Sequence, residues 1–569
     1  MLSSKHISKI AIVLMAIVLV LCFLAMGFYD KLAPLLGNTS YAMEYEEVLF
    51  DTSQIIDIDI IMEDDKWQEM LENASEEKYY ECDVIINGTT FKQVGIRPKG
   101  NTSLSSIAKD PDNNRYSFKL EFDQFVDGQT CFGLDKLILN NNYADATNMK
   151  EAIVYDMYQY LDAEASLYNY AKISVNDEYF GVYLALEAVE ESFMLRNNGM
   201  EKGFLYKPEN MEMGEKPEDG FEKPAGVPEG APEMPEGGFE RPTGAPEGAP
   251  EMPAGGFERP TGAPEGVPEG IPEMSEGRPE RPEGEFKTSE GGVKMPGGVG
   301  KDSGGSNLNY TDDELDSYST IWDGEVNDSS EGDHKRVIEA LKNVHNKTNI
   351  EDYIDVEQVL KYMAVHNFVV NEDSLSGSMA HNYYLYESNG KISILPWDYN
   401  LAFGGMHGGE ATSVINEPID DSWQGTELFD FVFEDEEYKA RYHEYYNQLV
   451  EEYVYGGRFE ETYNRIRTQI DELVKNDPNA MFTYEEYTNA TNLLYEVIML
   501  RTESIQGQLE GIIPTTSEGQ KSDTTALVDA SHIDLSVLGT MMNRDRQGAG
   551  ERQKTNMTSN LGNGRFTFD

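Results

Sequence analysis

The chain has 569 residues, of which 39% are hydrophobic and 26% are charged, so it can bury a sizeable core and is not wholly disordered. Its 45 Lys+Arg and 103 Asp+Glu residues give a formal net charge of −58, which argues against a general DNA- or RNA-binding role. The three cysteines, Cys22, Cys82 and Cys131, form no CxxC pair. A zinc ribbon and a disulfide-rich scaffold are therefore excluded. Because Cys22 lies in an apolar run, at most one intrachain disulfide, between Cys82 and Cys131, is left.

An uncharged run of 20 residues at 10–29 lies near the start of the sequence. It is long enough to span a membrane as a helix. Because Lys5 and Lys9 precede it and the flank beyond is acidic, we expect a short cytoplasmic stub and most of the chain outside the membrane. Residues 1–30 are accordingly predicted to be a transmembrane anchor. The alternatives are a cleaved signal peptide, which would make the protein secreted, and, less favoured, a buried core helix.

Mixed strands and helices are predicted for residues 46–207, which we interpret as the N-terminal part of a folded domain. Strand patterns occur at 55–62, 82–86, 91–97, 116–122, 171–175 and 179–186. Two pairs of these strands are separated by the short turns Asn87-Gly88 and Asn176-Asp177, which predict hairpins. Helical spacing predicts a helix over 149–161.

The composition changes abruptly at residues 208–306, which hold 17 of the 24 prolines. An 18-residue repeat begins at Gly220, Gly238 and Gly256, and the segment has 22 acidic and 9 basic residues. Proline and glycine at this density block helices and strand ladders, and one Phe per repeat cannot form a core. We therefore predict a disordered insert. It is either a tether or wall-contacting spacer, or a surface-loop expansion tolerated because long loops cost little closure entropy.

Order is predicted to return over residues 307–513, the C-terminal part of the same domain. Helical spacing is found at 337–344, 356–370, 428–455, 459–474 and 484–509. A further hairpin, 383–386 with 391–395, surrounds the turn Asn389-Gly390. Residues 514–569 are polar and weakly patterned, so a disordered tail is expected there.

Residues 371–405 carry the clearest chemical pattern. Asp373 follows a predicted helix, Asn382 comes nine residues later, and Asp398 lies beyond the hairpin, before a glycine-rich loop. In phosphoryl transfer one carboxylate orients or deprotonates the attacking hydroxyl, while a second carboxylate and an amide oxygen hold the magnesium that bridges the phosphates. The alternative is that Asp373 and Asn382 only cap helices or turns.

Several motifs recur in a characteristic order along the chain. They are GIRPKGNTS (95–103), SFKLEF (117–122), LNNNYADATNMKEAIVYDMY (139–158), NDEYFGVYLALEAVEESF (176–193), GFLYK (203–207), VVNEDS (369–374), NYYLY (382–386) and PWDYNLAFGG (396–405). With them the sequence resembles the spore coat protein H (CotH) kinase family over residues 50–207 and 310–513. The resemblance implies an α+β, atypical two-lobed protein-kinase-like domain with a C-terminal helical part, and ATP-dependent phosphate transfer to protein Ser or Thr with Mg or Mn.

The same resemblance assigns roles to four residues of the 371–405 stretch. It implies that Asp373 is the catalytic acid, that Asp398 binds the metal, and that Asn382 is the accompanying ligand. Where the family often has a second acid after the Trp-Asp pair, this chain has Asn400. An amide oxygen can coordinate a cation but brings no charge, so a weaker metal site is expected.

The nucleotide-binding residues are inferred from the order of motifs in kinases, in which a phosphate loop precedes a lysine strand, a helix with an acidic partner, and a hinge strand. That order makes Lys119 the phosphate-pairing lysine, Glu151 its partner and Glu187 a residue near the adenine hinge. Lys207, in the GFLYK motif, is the competing lysine.

Arg97 and Lys99 flank a loop in which Gly100 would let backbone N–H groups approach a phosphate, unless the loop is an ordinary Gly-Asn turn. His366 and His381 lack the HExxH spacing of a zinc site and are interpreted as ordinary core or surface residues. No GxSxG motif supports a serine hydrolase.

The sequence thus predicts an atypical protein Ser/Thr kinase that acts on basic protein substrates, outside a membrane or in a spore coat. Two alternatives stay open. One is an inactive kinase-like binding module that presents its acidic surface to a basic partner, an interpretation that Asn400 favours. The other is a structural coat or wall protein whose function resides in the repeat.

Overall fold

The computed structural model describes residues 42–541, except for residues 112, 200–202, 210–303, 378, 407–409 and 424. The uncharged run at 10–29, nearly all of the predicted insert and residues 542–569 lie outside the described residues. No helix within the described part is both long and apolar enough to cross a membrane. Membrane anchoring and cellular location therefore stay predictions. The residues on the two sides of the insert belong to one unit of mixed helices and sheets.

Seven strands form a closed sheet in the N-terminal part. They are β1 (Ile56–Ile61), β2 (Tyr80–Ile86), β3 (Thr89–Lys99), β4 (Ser117–Glu121), β5 (Lys136–Asn140), β6 (Tyr168–Val175) and β7 (Glu178–Glu187). Their order around the sheet is β1-β2-β3-β4-β5-β7-β6, and the parallel pairing of β6 with β1 closes it. All other neighbours are antiparallel. The six predicted strands are confirmed, whereas β5 was missed because its three central residues, Leu137, Ile138 and Leu139, are all apolar and buried and therefore display no alternation.

The three predicted hairpin turns are confirmed, and their backbone explains why they could be recognised. Both central residues have positive φ in Asn87-Gly88 (49° and 79°), Asn176-Asp177 (52° and 67°) and Asn389-Gly390 (54° and 88°). This conformation is typical of type I′ turns, whose twist matches that of the strands they join. Asn, Asp and Gly tolerate positive φ best, so the turn type is encoded locally.

The closed sheet encloses the smaller of two apolar clusters. Alternate residues of β1, Ile56, Ile58 and Ile60, are buried, as the period of two requires. Three helices surround this sheet: α1 (Glu44–Val48), α2 (Asp64–Glu72) and α3 (Thr102–Ala108). Cys82 and Cys131 are both buried in this cluster as free thiols, so the disulfide that the composition permitted does not form.

The larger apolar cluster is mainly helical and contains a second, three-stranded sheet of order β10-β9-β8. Its strands are β8 (Phe204–Tyr206), β9 (Tyr383–Ser388) and β10 (Lys391–Pro396). The remaining α-helices are α4 (Lys150–Tyr160), α5 (Glu191–Asn198), α6 (Ser319–Asp323), α7 (Glu331–His345), α8 (Ile350–Tyr353), α9 (Val356–Val369), α10 (Ala411–Ile415), α11 (Asp430–Glu434), α12 (Glu436–Asn447), α13 (Arg458–Lys475), α14 (Tyr484–Leu509) and α15 (Ser517–Ser522).

The long helix predicted over 428–455 is interrupted. The structure has α11, then α12, then a π-helix at Gln448–Val454. Asp435 causes the break because its backbone is extended (φ −114°, ψ 118°) and its carboxylate accepts the backbone N–H of Glu437 at 2.8 Å. Asp at this position caps the N-terminus of α12 instead of continuing α11.

Residues 514–541 are folded, in contrast to the disordered tail expected from residue 514 onwards. They contain α15 and two 3-10 helices, Thr524–Ala526 and Leu535–Leu538. Ala530, Leu535 and Leu538 are buried in the larger apolar cluster. The apolar residues here are few and aperiodic, so only the surfaces they pack against reveal that the segment folds.

A buried ion pair connects the closed sheet to the helical part. Arg115 Nη1 lies 2.6 Å from Asp477 Oδ2, and each side chain is 2% exposed. The same carboxylate oxygen accepts the backbone N–H of Val182 in β7 at 3.1 Å. The residues before β4 and after α13 are thereby held together, which fixes the position of the sheet against the helices.

Candidate active site

A cavity of about 100 Å³ lies where the loops after β3 and β5 meet the loops after α9 and β10. It brings together seven of the residues that the sequence singled out: Lys99, Gly100, Glu151, Asp373, Asn382, Asp398 and Asn400. These residues come from both sides of the predicted insert. Arg97, Lys119, Glu187 and Lys207 do not line this cavity.

Asp373 is held from two directions. It follows α9, which ends where Val370 adopts a left-handed conformation (φ 49°). His381 Nε2 lies 2.9 Å from Asp373 Oδ1. The Asn382 side-chain N–H donates to Asp373 Oδ2 at 3.1 Å and to its backbone carbonyl at 2.8 Å. The loop is thus closed on itself by the side-chain N–H group of Asn382, and these two contacts do not use its amide oxygen.

Asp398 lies two residues after the end of β10, in a left-handed conformation (φ 60°) that turns the chain into the glycine-rich loop. Asn371 supports this turn by donating its side-chain N–H to the Asp398 carbonyl at 3.2 Å. Burial raises the pKa of the Asp398 carboxyl, nearby Lys99 opposes that rise, and the Asp373 carboxylate adds to it. A buried carboxyl whose ionisation is disfavoured by burial and by a neighbouring carboxylate is a setting that a bound cation stabilises.

Glu151 and Lys99 form a second charged group in the cavity, with Asn140 between them. Asn140 Nδ2 donates to Glu151 Oε2 at 2.9 Å, and Lys99 Nζ lies 3.4 Å from Asn140 Oδ1. Burial, followed by repulsion from Asp398, raises the pKa of Glu151 to about 8. Burial also lowers the pKa of Lys99 to about 8, although Asp398 attracts its charge.

Lys119 does not form the expected pair with Glu151. Its Nζ lies 2.5 Å from Glu190 Oε1, and Lys136 contacts the other oxygen of the same carboxylate. The acidic partner in α4 instead lies beside Lys99 through Asn140. Lys119 and Lys99 both lie on strands of one closed sheet, so strand order alone could not tell which of them reaches the cavity.

Arg97 and Glu187 are engaged elsewhere. The Arg97 guanidinium pairs with Glu77. Glu187 is fully buried, accepts the Tyr45 hydroxyl at 2.6 Å and forms an ion pair with Arg196 at 2.7 Å. These contacts account for both side chains without a ligand.

Lys207 lies just outside the cavity, beside Trp397. Its Nζ is 5.9 Å from the ring centroids of Trp397 and Tyr384 and 2.5 Å from Glu209 Oε1. Burial lowers the pKa of Lys207, but Tyr384 and Glu209 outweigh burial and raise it above its usual value. Lys99 Nζ lies 5.4 Å from the centroid of the same Trp397 ring, so both lysines flank one aromatic side chain.

The cavity's donor set fits a hard divalent cation. Within the described residues, no three His, Cys, Asp or Glu side chains cluster closely enough to hold a metal by themselves. Asp398, Asn382 and Asn400 nevertheless offer oxygen atoms, since Asn400 uses its N–H on the Tyr143 carbonyl at 2.7 Å. Mg²⁺ typically takes one or two carboxylates and completes its shell with water and phosphates, so this set suits Mg or Mn.

One buried acceptor atom in the cavity also lacks a hydrogen-bond partner within the described part of the chain. Among the described residues, the buried Oε1 atom of Glu151 has no hydrogen-bond partner. A buried carboxylate oxygen without a partner is costly, and a cation or a water bound to one would satisfy it.

Sequence reasoning missed two residues of the site. His381 was treated as an ordinary residue, yet it contacts the Asp373 carboxylate and lines the cavity. Met541 lines the cavity from a segment that was expected to be disordered. The position of His381 next to Asn382 could have indicated the first residue, but no local signal indicated Met541. His366, by contrast, is a buried core residue as expected.

The fold and the cavity define a mixed α and β protein with buried carboxylate, amide and lysine side chains in a cavity lined by loops of both its N-terminal and C-terminal parts. The family model described as CotH kinase protein matches residues 96–234 and 280–505, which is more than half of the chain. The chain therefore belongs to the CotH kinase family, as its motifs indicated. The stretch between the two matched segments falls within the Pro/Gly-rich repeat. No curated protein matches the chain.

Proposed function

We propose that the protein is an atypical Ser/Thr protein kinase that transfers the γ-phosphate of ATP to protein hydroxyls with Mg or Mn. The observation that carries this proposal is the convergence of Asp373, Asp398, Glu151 and Lys99 in one cavity. Family membership supplies the reaction class. The position of the cavity between the closed sheet and the helical part supports a two-lobed, kinase-like arrangement.

Each side chain has a distinct task in this proposal. Lys99, oriented with Glu151 by Asn140, neutralises phosphate charge in a buried site where charge interactions are strong. Gly100 has a φ of 121°, which allows the backbone after β3 to approach a phosphate closely. Asp373 accepts the proton of the acceptor hydroxyl while His381 and Asn382 hold its carboxylate in place.

The metal would be held by Asp398 with the amide oxygens of Asn382 and Asn400. When bound there, it supplies positive charge that offsets the charge of the phosphates. The preferred acceptor is a basic protein segment, since the field of an acidic protein attracts cations. Attachment to a membrane through residues 10–29, and a location at the cell surface or in a spore coat, complete the proposal.

A second candidate function is a catalytically inactive binding module with the same fold. Asn400 favours it, because an amide stands where a second metal-binding acid is common. In this version the protein binds nucleotide without transferring phosphate. A structural role for the repeat is a separate prediction, and it falls on residues outside the described part of the chain.

The deciding experiment measures phosphate incorporation from γ-labelled ATP into a basic Ser/Thr peptide by the purified full chain, with Mg, with Mn and with a chelator. We expect metal-dependent labelling. Asp398→Asn should weaken nucleotide binding in calorimetry, because the metal loses the only carboxylate among its three proposed protein ligands. Asp373→Asn should retain binding but lose transfer. Glu436→Gln, which changes an exposed acid on α12, is the matched control. Binding without labelling would favour the inactive module, and the absence of both would refute a nucleotide site.

A further inference from the structure

One buried side chain lies between the two loops that carry Asp373 and Asp398. It is the imidazole of His366, on α9. Its Nε2 atom lies 3.0 Å from the hydroxyl of Ser374, the residue directly after Asp373. Its Nδ1 atom lies 3.0 Å from the hydroxyl of Tyr399, the residue directly after Asp398. The residue that follows each acid is thus bonded to the same ring.

A neutral imidazole is suited to this place. One ring nitrogen donates a hydrogen bond and the other accepts one, and hydroxyl groups can do either. The ring can therefore bond the Asp373 loop and the Asp398 loop at the same time. Ser376 adds a second hydroxyl on the side of the Asp373 loop, 2.8 Å from Nε2.

Asn371 forms a second connection between the same two loops. Its carbonyl accepts the hydroxyl of Ser374 at 2.8 Å and that of Ser376 at 3.2 Å. Its side-chain N–H donates to the Asp398 carbonyl at 3.2 Å. The two loops are therefore joined both through the His366 ring and through Asn371.

The helix that carries Glu151 is connected to the same network. Tyr158 lies seven residues after Glu151 in α4, so both are on one face of that helix. The Tyr158 hydroxyl lies 2.6 Å from the Tyr399 hydroxyl, and both side chains are buried. Tyr399 therefore connects α4 to the imidazole.

Two residues beside this network have backbone conformations that are rare for residues other than glycine. Val370 (φ 49°) and Asp398 (φ 60°) are both left-handed, which is especially unfavourable for a β-branched residue such as Val. Such conformations persist only where the surrounding structure fixes them. A buried network whose groups are all hydrogen-bonded is rigid, and this one is bonded next to Asp398 and a few residues beyond Val370.

We propose that His366 is a positioning residue for phosphate transfer, which fixes the separation of Asp373 and Asp398 by bonding the residue after each of them. The inference rests on the proposed kinase function. In that function Asp373 acts on the acceptor hydroxyl, while Asp398 acts through the metal on the phosphates. Their separation therefore sets the distance between the reacting atoms, and a displacement of about 1 Å can cost about a hundredfold in rate.

The test measures phosphate transfer to a basic Ser/Thr peptide and, by calorimetry, the binding of ATP with Mg, both with the full chain. Tyr399→Phe removes one hydroxyl from the network and keeps the ring. We expect its kcat to fall at least about tenfold, because one side of the imidazole is released. The dissociation constant for ATP should change less than about threefold, because no residue proposed to bind the nucleotide or the metal is altered.

Tyr155→Phe is the matched control. Tyr155 is also buried, and its ring contacts the Tyr399 ring edge-on at 6.3 Å between centroids. Its hydroxyl has no hydrogen-bond partner among the described residues. Removing this hydroxyl should therefore leave kcat unchanged.

A double-mutant cycle tests whether the two sides act through one ring. Ser374→Ala with Ser376→Ala breaks the hydrogen bonds on the other side of the imidazole. When this pair is combined with Tyr399→Phe, the loss in kcat should be clearly smaller than the product of the separate losses. Losses that multiply would show that the loops are held independently and would refute the proposal.

Substitution of His366 itself tests the hydrogen-bonding role. His366→Gln keeps a donor and an acceptor and should retain a higher kcat than His366→Leu, which keeps neither. Equal kcat values in these two variants would contradict the proposal. If the Leu variant does not fold, the hydroxyl variants still decide.

The outcomes separate this inference from the proposed function. The stoichiometry of ATP binding in calorimetry counts the folded molecules. A fall in kcat that only matches a fall in this stoichiometry would show that the network maintains the fold and would refute a positioning role. If the wild type transfers phosphate and Tyr399→Phe does so at the same rate, the protein is a kinase and only the role of His366 is refuted. If the wild type transfers no phosphate, the kinase function fails and the positioning role fails with it.

Discussion

Acidification is expected to destabilise the protein through His366, which lies beneath the loop that carries Asp373. The imidazole is 1% exposed, and both ring nitrogens have partners: Nδ1 lies 3.0 Å from the Tyr399 hydroxyl and Nε2 lies 2.8 Å from the Ser376 hydroxyl. Its ring also stacks on Tyr362, with 5.3 Å between centroids. A charged imidazolium has no carboxylate among these partners.

The sign and size of the effect follow from the shift in pKa. Burial lowers the pKa of His366 to about 3, from an ordinary value of 6.5. The unfolded chain therefore binds more protons than the folded one between these two values. His366 contributes its full stabilisation above pH 6.5 and loses it as the pH falls towards 3. At pH 5, which is 1.5 units below the unfolded value, the loss is about 2 kcal/mol.

The assay compares urea unfolding of the wild type and of His366→Gln at pH 7 and pH 5. Gln keeps a polar side chain at the position but does not titrate, so the comparison uses the change with pH and not the absolute stability. We expect the free energy of unfolding to fall by about 2 kcal/mol more in the wild type than in the variant. Equal falls would show that His366 is not held neutral and would refute the reasoning.

Three further outcomes are expected. Asp477→Ala should lower the free energy of unfolding by about 3–5 kcal/mol, because it leaves the buried charge of Arg115 unpaired; a loss below about 1 kcal/mol in denaturant titrations would show that the pair is not buried in solution. Glu209→Gln should tighten nucleotide binding severalfold in calorimetry by releasing Lys207, and an unchanged affinity would mean that Lys207 does not face the nucleotide. Replacing residues 214–299 with a short Gly/Ser linker should change the melting temperature and the transfer rate little, since the repeat lacks apolar residues for a core; a large drop in melting temperature would show that the repeat packs against the domain.

The sequence by itself determined the features that depend only on residues close together in the chain. The strands were predictable because a period of two is visible within a few residues, and the hairpins because Asn-Gly and Asn-Asp pairs favour positive φ at both turn positions. The order of the motifs was sufficient to assign the family. It also placed Asp373 and Asn382 before a single hairpin and Asp398 after it, so that the hairpin brings them to one end of the sheet, although their catalytic roles stay predictions.

Only the tertiary structure decided which side chains share the cavity. Lys99 and Lys119 occupy similar strands, and neither sequence pattern nor chain order tells them apart. Closure of the sheet brings Lys99 beside Asn140 and Asp398, whereas Lys119 is neutralised by Glu190 from the segment after β7. Such pairings join residues far apart in the chain, so they depend on the complete fold.

The segment before Met541 shows the same limit most clearly. Leu535 and Leu538 carry no periodic pattern, because their burial depends on surfaces supplied by distant parts of the chain. A periodic pattern of apolar residues indicates which face of a helix or strand can be buried, but it does not indicate which surface will cover that face. Irregular segments fold because a particular surface fits them, and that surface exists only once the rest of the chain has folded.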